Sequence, residues 1–404
     1  MSSKTLAIYV HWPFCLSKCP YCGFNSIPEN NRSIYEAVES FLLMDLKNEL
    51  EKIGDRRRIT SVFFGGGTPS LMNPAALDNI LNLLGKWGVL DSDVEISLEA
   101  NPQTFDEGKM LDFRSSGINR ISVGIQSFQS ENLQFLGRTY DGPTAQLAAG
   151  LVANIFQNFS MDFIHGYQNL KNWEQDLEKA IEFGPHHISA YQLTLEEGTP
   201  FFQRRFEKAL ARTADEKLGA KFHHFTHKFL EANGLGQYEI SNYAQPGYES
   251  RHHMTYWKYE DYLGLGPGAH SRITISGDKY EIEKKSHPSC WMNSLAEGGD
   301  GTCNRKALIP HEEFEEMMIM GLRLTKGMEL SWDRTAFRFP EKKLQFLRKN
   351  KLMENDPTRL QLTYAGRIRL NAVLEFLLAD LPGSESAPRS VPYPAVSIAP
   401  QING

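Results

Sequence analysis

Three cysteines fall within eight residues, Cys15-x3-Cys19-x2-Cys22, directly after a short apolar run at residues 6–10. A structural zinc site takes four ligands, commonly as two CxxC pairs, and the other two cysteines, Cys290 and Cys303, are remote and unpaired in spacing. Three soft thiolates on one loop suit a [4Fe–4S] cluster whose fourth iron stays open to an exchangeable ligand. The bland alternative, three incidental cysteines on a reactive loop, fits poorly with their position straight after a strand. Five cysteines in 404 residues is an odd count, unlike a disulfide framework and consistent with a thiolate metal centre in a reducing compartment.

The cysteine loop opens a chain of alternating apolar runs and helix-period segments. Residues 6–10 read as a buried strand. Between 33 and 53 the apolar residues Ile34, Val38, Phe41, Leu42, Leu46 and Leu50 trace one helix face. Residues 60–64 are β-branched and aromatic and stop at Gly65-Gly66-Gly67. Helix is expected at 77–87, 106–115, 144–153 and 173–183, and strand at 94–100, 120–123, 159–164 and 188–193. Strands alternating with helices imply parallel βα units, as an open doubly wound sheet or a barrel. In both, chemistry gathers at the C-terminal ends of the strands. The cysteines, the glycines, Glu99 and Gln126 all fall there.

A helical run from about 213 leads into Tyr238-Glu239-Ile240 and then a Gly- and aromatic-rich segment to about 271. Residues 305–378 change character, with helices expected at 312–324, near 341–349 and at 366–377 and a hairpin-like stretch at 352–363. That order suggests a small winged-helix-like module. The tail from Pro382 is rich in Pro, Ser and Ala and reads as disordered. The expected division is 1–236 for the α/β core, 237–304 for a connecting segment, 305–380 for the C-terminal module and 381–404 for the tail.

Charge and hydropathy exclude several classes. Lys plus Arg is 43 against 49 Asp plus Glu, a net −6, which argues against a nucleic-acid binder. Arg348, Lys349, Lys351, Arg359, Arg367 and Arg369 read as a solvated face of the C-terminal module. No stretch approaches the ~18 consecutive apolar residues of a membrane span, and the N-terminus lacks a secretory leader pattern. A cytoplasmic protein is expected.

CxxxCxxC after a first strand resembles the signature of the radical S-adenosylmethionine (SAM) superfamily. Gly65-Gly66-Gly67-Thr68-Pro69 resembles its glycine motif, where a Cβ would block the backbone's approach to the cofactor. The resemblance implies a partial (β/α)6 barrel, a [4Fe–4S] cluster on Cys15, Cys19 and Cys22, and SAM chelating the fourth iron. YVHWPFC, GGGTPS, Glu99-Ala100-Asn101-Pro102 and GINRISVGIQSF are similar to the oxygen-independent coproporphyrinogen III oxidase subgroup, which contains the oxidase HemN and the heme chaperone HemW. Two features resemble the HemW branch. Phe24 stands where the oxidase branch has an additional cysteine, and Arg251-His252-His253-Met254-Thr255-Tyr256-Trp257 is similar to the HNxxYW heme motif. The similarity spans about residues 5–378.

Carried over by position, the resemblance implies SAM contacts from Tyr9, Tyr21, Gly66, Gly67, Thr68, Glu99 and Asp162. Gln126 and Arg138 match positions facing a second SAM in the oxidase. His252 would ligate heme iron, with Tyr256 and Trp257 packing on the porphyrin; alone, a His beside aromatics is more often structural. Two departures stand out. His253 replaces the motif's Asn, so either imidazole could ligate, and residues 160–168 lose a Pro-Gly turn while keeping Asp162. The function implied is a heme chaperone that binds heme transiently and passes it to acceptors such as respiratory hemoproteins, as a homodimer and with transient membrane association through an acceptor. The alternative is radical oxidative decarboxylation of coproporphyrinogen propionates through a 5′-deoxyadenosyl radical.

Overall fold

In the computed structural model, which describes residues 4–211, 213, 215–329 and 341–379, six strands lie side by side in chain order and parallel. They are β1 (Thr5–Trp12), β2 (Arg58–Gly66), β3 (Val89–Ala100), β4 (Arg120–Gln126), β5 (Asn158–His165) and β6 (His187–Gln192). Helices Arg32–Ile53, Pro74–Trp87, Glu107–Ser115, Gly142–Ile155 and Leu170–Glu182 connect them. This is the α/β fold expected from the alternation. β1 is buried from Leu6 to Trp12: Leu6, Ile8 and Val10 share a core with the first helix, while Ala7 packs with Tyr256 and Trp257 and Tyr9 with Phe63 on the other face, so it reads as one apolar run.

The first helix shows how its ends are set. The Asn31 side chain accepts the Ser33 N–H at the start, and Gly54, at φ 72°, ends it in the left-handed conformation. Its buried face carries Val38, Leu42, Leu46 and Leu50, as the spacing predicted. Fully burying each such side chain contributes roughly 1.5–3 kcal/mol.

The sheet does not stop at six strands. β7 (Gly236–Gln237), β8 (Asn242–Ala244), β9 (Tyr262–Leu265), β10 (His270–Ile275), β11 (Asp278–Lys284) and β12 (Thr302–Ala307) extend it on both sides. The order is β12-β11-β10-β9-β1-β2-β3-β4-β5-β6-β8-β7. β9 runs parallel to β1, and β8 antiparallel to β6. The segment from 237 to 304 therefore pairs with both edges of the six-stranded core, whose backbone N–H and C=O groups would otherwise stand open. β7, β8 and β9, of two to four residues, carry too little periodicity to be seen in the sequence, whereas β10, β11 and β12 are of ordinary strand length and were not singled out. β11 is also pinned from outside: Lys284 Nζ lies 2.6 Å from Asp45 Oδ1 and 2.9 Å from Glu49 Oε1 on the first helix.

The C-terminal part has its own core, including Phe314, Met318, Leu322, Leu344, Leu347 and Val373. Helices Pro310–Gly321, Glu341–Lys349 and Leu370–Leu378 surround it, with Met328–Glu329 pairing antiparallel to Arg359–Leu360. The helix expected over 366–377 is split. A short turn at Tyr364–Arg367 precedes Leu370–Leu378, and Gly366 passes so close to the Leu352 carbonyl that no Cβ would fit. The tail expected to be disordered lies outside the described residues. Among the described residues, no helix is long and apolar enough to cross a membrane.

Candidate cluster and cofactor site

β1 ends at Trp12 and delivers the cysteine loop over an aromatic pile, with Trp12 5.3 Å from Phe14 and 5.2 Å from Tyr35 between ring centroids. Phe14–Cys15 pairs with Ile27–Pro28, closing the loop at its base. Three side chains then fix its shape. Lys18 Nζ donates to the Phe24 and Ser26 carbonyls, each at 3.0 Å. Asn25 Nδ2 donates to the Pro267 and Ser286 carbonyls at 2.9 and 2.8 Å. The His11 ring binds the Asn25 carbonyl through Nε2 at 2.8 Å and the Tyr9 hydroxyl through Nδ1 at 3.0 Å. Nε2 must donate to a carbonyl, so Nδ1 accepts the tyrosine proton. Burial lowers the His11 imidazole to about 4 and keeps it neutral. Lys18, Asn25 and His11 were not singled out from sequence. Each acts through backbone carbonyls distant in the chain or around a turn, which leave no spacing signal.

The Cys15 and Cys22 thiols are pushed up, chiefly by burial, and the neighbouring thiols add to it. The thiols thus feel one another's charge, and Thr68 Oγ1 donates to Cys15 Sγ at 3.3 Å. Among the described residues no three His, Cys, Asp or Glu side chains are gathered tightly enough for a single metal ion. Cys15, Cys19 and Cys22 all line one pocket, as thiolate ligands of one multi-iron cluster would.

The glycine motif lies against this loop. Gly66 has φ +112°, and a Cβ there would come within 2.7 Å of the Trp12 carbonyl and the His11 ring. At Gly67 a Cβ would sit 2.5 Å from the Phe14 carbonyl. The closeness is used: Gly67 N–H donates to the Trp12 carbonyl at 2.6 Å and Thr68 N–H to the Phe14 carbonyl at 2.8 Å. The Gly66 N–H donates across to Glu99 Oε2 at 3.1 Å.

The next two strands bring Gln126 and Asp162, and the loop after the helix Ser130–Phe135 brings Arg138. Gln126 holds φ +66°, a left-handed conformation uncommon for a non-glycine residue. The Asp162 carboxylate accepts the Ser122 hydroxyl at 2.8 Å, and burial raises its pKa. Arg138 donates to the Tyr21 hydroxyl, while its Nε is buried without a partner among the described residues. Together these groups line one pocket of about 410 Å³ with Cys15, Cys19, Cys22, Tyr21, Gly66, Gly67, Thr68 and Glu99. Three thiols, a glycine strip without Cβ atoms, two carboxylates and an unsatisfied guanidinium nitrogen suit a cluster together with a zwitterionic cofactor.

One expected cofactor residue, Tyr9, does not line this pocket. The Tyr9 ring lies beneath the glycine strip, close against Gly65, with its hydroxyl on His11. It supports the site from below and does not face the cofactor space. His252, the candidate heme ligand of the sequence, sits elsewhere. It is fully buried on the helix Arg251–Trp257, whose first N–H groups are capped by Ser250 and Glu95. Nδ1 bonds the Ser61 hydroxyl at 2.9 Å and Nε2 the Tyr256 hydroxyl at 2.7 Å. Its ring stacks on Phe63 at 5.0 Å, and burial lowers it to about 3. Ser61 lies five residues before Gly66 on β2, roughly 16 Å along the strand. With both nitrogens engaged and the ring inside the barrel, His252 has no nitrogen to offer an iron in this conformation. His253 is also buried, and neither ring nitrogen has a partner among the described residues. Tyr256 and Trp257 are core residues.

Known proteins are similar to this chain over much of its length. The Radical SAM superfamily matches over residues 9–151. The heme chaperone HemW of Escherichia coli (strain K12) is 38% identical over 291 residues, covering 71% of this chain and 75% of that protein. The mitochondrial radical S-adenosyl methionine domain-containing protein 1 of Bos taurus is 34% identical over 411 residues, covering 96% and 91%. Among solved structures, the coproporphyrinogen III oxidase HemN of Escherichia coli, a radical SAM enzyme, superposes with a TM-score of 0.78 at 21% identity over 94% of this chain and 91% of that one. That likeness establishes the shared fold.

Proposed function

We propose, on the premise that this chain belongs to the radical SAM superfamily and within it to the family of the heme chaperone HemW, that it binds heme transiently and releases it to acceptor hemoproteins. The observation that carries the reading is the match to proteins named as heme chaperones over most of both chains, together with a pocket that gathers the cluster and cofactor residues.

In this reading Cys15, Cys19 and Cys22 would hold three irons of a [4Fe–4S] cluster, and Gly66, Gly67, Thr68, Glu99 and Asp162 would hold SAM, with Tyr21, Gln126 and Arg138 on the facing wall. When bound, such a cluster supplies one-electron chemistry on SAM. The chain's own part is to bury the thiols, present backbone at the glycine strip and place Glu99 and Asp162 where ammonium or hydroxyl groups can donate to them. The three-thiol loop supports a reducing compartment; the Bos taurus relative is named as mitochondrial, so fractionation decides between cytoplasm and organelle.

One anaerobic experiment tests the proposal. The cluster-reconstituted chain is loaded with heme, mixed with an apo-hemoprotein, and followed by visible absorption. In parallel the same preparation, with SAM and reductant, is given coproporphyrinogen III. The chaperone reading expects saturable heme binding, a shift of the Soret band to the acceptor, and no porphyrinogen turnover above background. Turnover without heme transfer would replace it with the oxidase.

A further inference from the structure

We propose that His187 is a positioning residue of the cofactor pocket: through Ser160 it keeps the Asp162 carboxylate aimed into that pocket, and its own tautomer is set by Tyr238. The inference rests on the reading of Asp162 as a SAM contact and names what holds that carboxylate in place.

Three of the parts stand in one row across the sheet. Ser122, Ser160 and His187 lie opposite one another on β4, β5 and β6. Asp162 is two residues further along β5, on the same face of the strand, and lines the pocket. Ser122 Oγ donates to Asp162 Oδ2 at 2.8 Å and Ser160 Oγ to Oδ1 at 3.3 Å. Ser189, opposite Asp162 on β6, also bonds the carboxylate. Behind them Ser160 Oγ meets His187 Nδ1 at 2.9 Å, and His187 Nε2 meets the Tyr238 hydroxyl at 2.8 Å. Ser160 and His187 are fully buried, so bulk water does not compete for these bonds.

The protons along this chain of bonds have one order. A carboxylate only accepts, so Ser160 gives it its single hydroxyl proton, and the Ser160 oxygen then accepts from His187 Nδ1. Burial, with Arg120 and His253 nearby, lowers the His187 pKa, so the ring is neutral and carries one proton, on Nδ1. Nε2 is therefore an acceptor, and the Tyr238 hydroxyl donates to it. With the proton on Nε2 instead, Nδ1 would compete with Asp162 for the Ser160 proton. Tyr238 thus decides which way Ser160 points. It is itself gripped from the C-terminal part: its carbonyl accepts the Thr325 N–H at 3.0 Å, and the adjacent Glu239 accepts Arg323 Nη2 at 3.1 Å. The bonds therefore run from the segment after the helix Pro310–Gly321, through the barrel, to the cofactor pocket.

The test measures SAM affinity of the full-length, cluster-reconstituted protein by anaerobic equilibrium dialysis without reductant, each variant being checked for iron content and melting temperature. His187→Leu removes both ring nitrogens, whereas His187→Asn returns an N–H at the place of Nδ1. The inference expects His187→Leu to bind SAM about fivefold more weakly, the worth of one hydrogen bond of roughly 1 kcal/mol, and His187→Asn to stay within about twofold of wild type. In an Asp162→Ala background His187→Leu should add no further loss, because a residue acting through Asp162 has nothing left to position. Where His187→Leu lowers iron content or melting temperature, Ser160→Ala cuts the same chain of bonds with little change of volume and carries the same expectation. Wild-type affinity in Ser160→Ala and His187→Leu, equal weakening by His187→Asn and His187→Leu, or a full further loss on top of Asp162→Ala would overturn it. No SAM binding by wild type would instead overturn the reading of the pocket and this inference with it.

Discussion

The Glu99 carboxylate accepts the backbone N–H of Gly66 at 3.1 Å, so one acidic side chain on β3 holds the strip of backbone at the end of β2. Glu99 therefore has two tasks, orienting the glycine strip and facing the pocket. Glu99→Gln keeps an acceptor for the Gly66 N–H but removes the negative charge. SAM affinity, measured by equilibrium dialysis, is expected to fall by about tenfold while the melting temperature stays near wild type, because a charge-assisted hydrogen bond is lost and the neutral one is kept.

Gly66→Ala is expected to be worse than Glu99→Gln for stability. At φ +112° with no room for a Cβ, alanine forces backbone strain of about 1–3 kcal/mol as well as a clash with Trp12 and His11. Thermal melting together with iron content reads both effects. A variant with wild-type melting and full iron would show that the strip can relax.

Replacing Cys15, Cys19 or Cys22 singly with alanine is expected to abolish the iron–sulfur absorption after reconstitution. Cys290→Ala and Cys303→Ala should leave it intact, because both thiols are exposed and distant in sequence from the loop. Iron and sulfide analysis of the five variants checks this.

His252→Ala strands the buried Ser61 and Tyr256 hydroxyls and opens a cavity against Phe63. A loss of about 2–4 kcal/mol is expected from chemical denaturation. A change below 1 kcal/mol would mean that the ring is not the buried strut described above.

Acid is expected to destabilise the protein through its buried histidines. Burial lowers His11 and His252 to about 4 and about 3, and lowers His165 to about 3 among Trp173 and Phe222. An unfolded histidine titrates near 6.5. The folded state therefore binds fewer protons, and the contribution is full above about pH 6.5 and lost as pH falls toward 4. The melting temperature measured from pH 7.5 to 4.5 should fall, and His165→Phe should make the fall shallower.

Much of the site was legible before any coordinates. The cysteine spacing, the glycine run and Glu99 are local signals, and each stands at the end of a strand whose apolar run the sequence displays. Gln126 was placed at the end of a strand by the alternation but given a role only through resemblance, as was Arg138; in the fold the first holds a left-handed backbone and the second keeps a guanidinium nitrogen without a partner among the described residues. His252 illustrates the limit. Its motif names a histidine beside aromatics, but whether an imidazole faces a pocket or a hydroxyl depends on which strand the helix packs against.

By itself, the sequence determined the parallel βα core and the position of the cysteine loop, because hydrophobic period and thiol spacing act over a few residues. The tertiary structure decided the rest. Ser61, some 190 residues before His252, turns that ring inward; Pro267 and Ser286 hold the loop through Asn25; and strands between 236 and 307 extend the six-stranded core on both sides. Those outcomes come from hydrogen bonds between distant segments, which only burial makes strong enough to choose a single partner.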